Sequence, residues 1–125
     1  MQSLALKQYL DGTVRPDNGS TGNFRAFTAN YSIGDADGGD VLTNAGASGA
    51  LTFQLPAPKN GRVFRFMKIA QQNFVIKAGT TSKINGGGVN GTYTNSAAEA
   101  AKFVEVASDG TDWYILSSTG TWVTA

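Results

Sequence analysis

Short runs of alternating apolar and polar residues, separated by turn-forming clusters, organise most of this chain. The clearest run is ALTFQLPAP, in which Leu51, Phe53 and Leu55 fall on one face and Thr52 and Gln54 on the other. A period of two marks a half-buried strand. Pro56 and Pro58 end it, because proline cannot donate to a ladder. RVFRFMKIA repeats the pattern, with Phe64 and Phe66 on one face and Val63, Arg65 and Met67 on the other. FVIKA sets Phe74 and Ile76 together. AFTANYSI and VLTN read as shorter extended pieces, and KFVEVAS, DWYILSS and TWVT close the chain as a meander. GDADGGD, KNG, QQN, DGT and TG are the turns. Turn signals every ~8 to 12 residues predict an all-β fold, a small antiparallel β-sandwich or a jelly-roll-like barrel. NSAAEAAKF, whose alanines favour helix, has room for one helical turn and leaves the class unchanged.

The pattern is different ahead of the first strand. MQSLALKQYL carries Leu4, Leu6, Tyr9 and Leu10, and DGTVRPDNGSTGN, with Arg15 in it, is turn and linker chemistry. This divides the chain into an N-terminal arm and linker, residues 1–25, and a β domain, residues 26–125. The arm reads either as a first strand or helical turn of the domain or as a segment laid on a neighbour. In the second reading Leu4, Leu6, Tyr9, Leu10 and Arg15 are contact residues. No basic n-region or cleavage site follows Met1, so the expectation is a protein made in the cytoplasm from its own initiator.

The closing stretch SDGTDWYILSSTGTW concentrates costly rings. A turn at Gly110, a residue free to take positive φ, sets Val104 and Val106 on one face with Trp113 and Ile115, and leaves Tyr114 and Leu116 on the other. A second turn at Gly120 is expected to bring Trp122 back alongside. Together with Phe53, Leu55, Phe64 and Phe66 these residues form the predicted core. Cross-strand pairs of large side chains contribute about 0.2–1 kcal/mol each, enough to lock the last strands of a domain without disulfides. The alternative is a ring platform that stacks sugars or bases.

Composition narrows the chemistry. The 125 residues include no cysteine and no histidine, so thiolate chemistry and the commonest general base and metal ligand are missing. Ten basic and nine acidic residues leave a net charge of +1, with no basic surplus for a nucleic-acid partner. No apolar run approaches the ~20 residues of a membrane helix. Asp35, Asp37, Asp40, Glu105, Asp109 and Asp112 are the carboxylates a glycosidase would pair, but they sit mostly in turns, where Asp is a turn-former. GDADGGD suggests calcium, yet counting from Asp35 puts Asp40 and Gly46 where an EF-hand requires Gly and Glu. NGGGVNG lacks the GK[ST] of a phosphate loop and reads as a mobile surface loop. Lys59, Arg62, Arg65 and Lys68 lie around one strand, with Arg62 and Lys68 on the face of Phe64 and Phe66, at its rims, and Arg65 on the other side. The set reads as a solvated outer face with snorkelling stems, or as a contact for an acidic surface. Asn18, Asn30 and Asn90 begin glycosylation sequons of the kind that arise by chance in such a composition. No catalytic residue, cofactor or metal is expected.

SDGTDWYILSSTGTW resembles the end of a β domain common in bacteriophage virion proteins, where a glycine turn, a Trp strand and a second Gly-Thr-Trp close the chain. YSIGDADGGDVLTNAGASGALTFQLPAPKNGRVFRF resembles that family's opening run, and KINGG its Ile-Asn-Gly turn. The similarity spans roughly residues 26–124. It departs at Asp40, where a basic residue is common, which bears on surface charge and not on fold. The resemblance implies a non-enzymatic virion component of the tail-fibre or capsid decoration (cement) type, often trimeric. A short chain that is almost all domain suits decoration of the outer head surface better than a fibre. The implied partners are the major capsid protein and further copies of the chain, with no nucleic acid and no membrane; the acidic surface that Lys59, Arg62, Arg65 and Lys68 would contact is then the capsid's. The runner-up is a fibre or spike tip that binds host glycan or receptor through Trp113, Tyr114 or Trp122.

Overall fold

In the computed structural model, which describes residues 22–125, the alternating runs pair into two five-stranded sheets packed face to face. The strands are β1 (Phe24–Ala26), β2 (Tyr31–Ser32), β3 (Val41–Thr43), β4 (Leu51–Gln54), β5 (Val63–Lys68), β6 (Phe74–Lys77), β7 (Thr92–Asn95), β8 (Lys102–Ser108), β9 (Trp113–Ser118) and β10 (Val123–Thr124). Sheet I has the order β1-β3-β5-β8-β9, and sheet II the order β10-β7-β6-β4-β2. The fold is an all-β sandwich.

The sheets are mixed, which corrects the expectation of antiparallel pairing. β1, β3 and β5 run parallel in sheet I, and β2, β4 and β6 run parallel in sheet II. The chain changes sheet after each strand from β1 to β5. The next strand in either sheet therefore arrives after a full coil, pointing the same way. Parallel neighbours need a crossover of about a dozen residues or more; here each crossover contains a strand of the facing sheet. GDADGGD and KNG are thus corners between sheets, not hairpin turns. β1 begins at Phe24, so sheet I takes in the end of segment 1–25.

The second half of the chain closes this coil with antiparallel strands. β7 pairs with β6, β8 with β5 and β9 with β8. The β8–β9 turn uses Gly110 at φ 97°. Gly120, at φ 91°, does not return the chain beside β9: β10 crosses to sheet II and pairs with β7. A β-carbon at Gly120 would stand 2.7 Å from Lys102 Cγ and 2.8 Å from Glu99 Oε1, so the crossing needs glycine. NSAAEAAKF forms no helix. Asn95 Oδ1 accepts the Ala97 amide at 3.1 Å, a local turn that competes with helix initiation.

Inward positions of both sheets make one core. Leu42, Phe64, Phe66, Val104, Val106 and Trp113 come from sheet I, and Leu51, Phe53, Phe74, Ile76 and Tyr93 from sheet II. Phe53 stacks on Phe74 at 4.9 Å and meets Phe66 at 5.6 Å, so the two sheets interlock through rings. Leu55, just beyond β4, is also buried. At the end of β3, the fully buried Asn44 stands in for backbone pairing. Its Oδ1 accepts the Ile69 and Ala70 amides at 2.7 and 2.9 Å, and its Nδ2 donates to the Ala70 carbonyl at 3.1 Å.

Candidate functional site

The carboxylates of GDADGGD all have protein partners. A 3-10 turn, Asp35–Asp37, points Asp37 inward and Asp35 out. Asp37 accepts from the Gly34 amide at 2.8 Å, from the Tyr31 hydroxyl at 2.9 Å and from the Arg25 guanidinium. Burial pushes its carboxyl up, but these three donors outweigh burial and hold it below the usual carboxylate range. Asp40 takes Arg25 at 3.3 Å and the Asn23 amide at 3.0 Å. Asp35 meets Arg62, and Lys59 at 3.1 Å, which lower its carboxyl to about 2. The cluster is an ion-paired corner joining β1, β2 and the loop before β3.

The basic residues around β5 divide in an unexpected way. Lys59 and Arg62 belong to the Asp35 corner, and Arg65 pairs with Glu105 across β5 and β8 at 2.8 Å. Lys68 is not on a solvated face. Its position continues the Phe64–Phe66 alternation inward, and it is 0% exposed. Its Nζ donates to the carbonyls of Asn95 and Ala97 at 3.2 and 2.6 Å, and contacts Asn95 Oδ1 at 2.9 Å. Asn95 Nδ2 in turn donates to Glu99 Oε1 at 2.9 Å. Glu99 also accepts the Thr121 amide and hydroxyl, each at 2.9 Å. These donors, the Asn95 carboxamide first, lower the Glu99 carboxyl to about 2. Burial lowers the Lys68 pKa, and the charge of Glu99 opposes it. A polar strap therefore links sheet I to sheet II at the Gly120 end. Sequence reading missed Asn95 and Glu99 entirely. The available signal was the inward alternation of Lys68 after Phe66 and of Asn95 after Tyr93.

The closing rings lie at two depths. Trp113 is fully buried against Phe64, with centroids 5.7 Å apart, and its indole N–H meets no acceptor among the described residues. Trp122 lies flat on Tyr93 at 5.2 Å, edge-on to Phe74 at 5.9 Å, and donates its indole N–H to the Thr119 carbonyl at 2.7 Å. Ile115 packs partly buried against the same core. The NGGGVNG loop is stitched to its surroundings. Ile84 bridges Trp113, the Asn85 amide donates to the Trp113 carbonyl at 2.8 Å, and Asn85 Nδ2 donates to the Thr124 hydroxyl at 2.9 Å.

Three of the edge strands expose large apolar side chains. β9 is an edge strand of sheet I and carries no charged residue. Tyr114 and Leu116 are 46% and 59% exposed on it. The β8–β9 register shifts at Glu105/Val106, which leaves Leu116 as the extra, unpaired residue of a bulge. Phe24 on β1 and Val123 on β10, both edge strands, are also exposed. The predicted contact residues Leu4, Leu6, Tyr9, Leu10 and Arg15 lie outside the described residues. Among the described residues no helix is long and apolar enough to cross a membrane.

No protein-family model matches the chain, and no curated protein matches it in sequence.

Proposed function

We propose that the chain is a structural, non-enzymatic component of a bacteriophage virion: a capsid decoration protein that assembles as a trimer on the outer head surface. The observation that carries this reading is the division of the closing stretch. Trp113 is mortar between the sheets, while Tyr114 and Leu116 of the same strand present an uncharged edge to the outside. An edge strand with exposed apolar side chains is a template for association. The resemblance of residues 26–124 to phage virion β domains supplies the setting. Three copies around one axis gain from effective concentration, so weak contacts to the major capsid protein sum to tight attachment. The arm residues Leu4, Leu6, Tyr9 and Leu10 are the feet in this arrangement. The product is a clamp against outward pressure from packaged DNA.

The test is sedimentation of the purified chain with emptied phage heads. The expected result is saturable binding that residues 1–12 are needed for, and a trimer in solution that Tyr114→Ser with Leu116→Ser weakens. Those two substitutions should change the stability of the monomer by no more than about 0.5 kcal/mol, because both side chains are exposed. Binding undiminished by the deletion would reject the arm's role. Selective binding on a glycan array that depends on Tyr114 would move the protein to a fibre tip.

A further inference from the structure

We propose that Lys68 and Asn95 join in an intramolecular isopeptide bond between the two sheets, formed by the folded chain itself with release of ammonia. The inference rests on the geometry of the buried strap and is independent of the virion reading.

Three features of the strap are those that a transamidation requires. The first is a nucleophile. Lys68 Nζ is enclosed, and among the described residues no carboxylate bonds it; its acceptors there are carbonyl groups of Asn95 and Ala97. Desolvation favours the uncharged amine of a lysine, the usual route to a nucleophilic one. An uncharged amine has two N–H bonds and one lone pair. As the ammonium, Nζ donates to the Ala97 and Asn95 main-chain carbonyls and to Asn95 Oδ1. Once it is uncharged, the two main-chain carbonyls suffice for its two N–H bonds, and the lone pair is free to turn to the Asn95 carboxamide.

The second feature is an activated electrophile. Asn95 Oδ1, 2.9 Å from Nζ, also accepts the Ala97 amide at 3.1 Å. That N–H is a fixed donor where negative charge develops when Nζ adds to Cγ. The third is a proton carrier at the leaving group. Glu99 Oε1 lies 2.9 Å from Asn95 Nδ2, and Thr121 holds both of its oxygens in place. The same donors keep Glu99 ionised, so that a carboxylate faces Nδ2.

The step balances without any co-reactant. The Nζ lone pair forms a bond to Cγ, and the carbonyl π pair moves to Oδ1. One proton leaves Nζ and one reaches Nδ2, carried by the Glu99 carboxylate. The π bond re-forms, the Cγ–Nδ2 bond breaks with its electrons on nitrogen, and ammonia departs. A secondary amide remains between β5 and β7. Nothing is oxidised or reduced. Fixed proximity replaces the activation that an intermolecular reaction would need.

The experiment is intact-mass measurement of the purified full-length chain, followed by tryptic mapping. The expected chain is lighter than its sequence by one ammonia. Trypsin fails to cut after Lys68, and a branched peptide joins residues 66–77 to residues 84–102. The Glu99→Gln variant, checked for its fold by circular dichroism, should keep the full mass and give the two linear peptides. A wild-type chain that gives the linear peptides and is cut after Lys68 overturns the proposal. So does ammonia loss that maps to Gln2 or to an unbranched Asn95 imide. A Glu99→Gln chain that crosslinks as fully as wild type overturns the role of Glu99.

Discussion

Phe53, Phe66 and Phe74 fill the middle of the sandwich with carbon. Farther along the same layer, Lys68 from sheet I and Asn95 from sheet II fill its end with polar atoms, and Glu99 leads from there to Thr121. Both regions fasten the same two sheets. The middle does so by exclusion of water and by ring packing, which is non-directional and tolerant of small shifts. The end does so through directed donors and acceptors, where each unmatched atom costs free energy. An aliphatic end of similar volume would hold two sheets at least as well. The polar end therefore calls for a reason beyond cohesion, and a reaction between its members supplies one.

The largest effect should come from the middle. Phe53→Ala removes a fully buried ring that touches Phe27, Phe66 and Phe74. It should cost about 3–5 kcal/mol in urea unfolding, while the branched Lys68–Asn95 peptide persists in whatever fraction still folds. A loss of the branch together with the ring would show that the two regions are not separable.

The same titration on Lys68→Met sharpens the contrast. The two residues of the bond stand 27 positions apart. A cross-link closing a loop of that length stabilises by about 3–4 kcal/mol in the chain-entropy account, and it acts on the unfolded state. Breaking it should lower stability by that amount and raise the m-value, because the released chain exposes more surface on unfolding. Phe53→Ala, which acts on the folded state, should leave m unchanged. A Lys68→Met chain as stable as wild type, with an unchanged m-value, would mean that the end is held by hydrogen bonds alone.

The two regions were not equally legible in the sequence. Alternation alone placed Phe53, Phe64, Phe66, Phe74, Val104, Val106 and Trp113 on inward faces, because a strand has only two faces and rings rarely point to water. The polar end broke that shortcut. A lysine after Phe66 invites a rim position, and only the depth of the layer, which depends on strand order, puts it inside. Strand order was hidden for a related reason. The turn clusters mark where strands end, but GDADGGD serves equally well as a hairpin turn or as a corner that carries the chain to the opposite sheet. Trp122 followed the same error, since nothing in STGTW says which sheet the last strand joins.

The smallest effect tests a polar cluster that has no covalent option. The Arg25–Asp37–Tyr31 corner resembles the Lys68 end in holding a buried polar side chain by several donors, yet its chemistry is purely ionic. Asp37→Asn should cost about 1–2 kcal/mol at neutral pH, the lower part of the range for charge-assisted bonds, because Arg25 is about one-third exposed. The folded-state pKa of Asp37 lies below its unfolded value. Its contribution is therefore complete above about pH 4 and disappears as pH falls through the lowered folded value. Wild type and Asp37→Asn should accordingly converge in stability in acid. The gap between wild type and Lys68→Met should survive the same titration, because an amide takes up no proton there. If that second gap closes in parallel with the first, the end of the sandwich is an ionic cluster of the same kind as the corner, and the covalent strap does not exist.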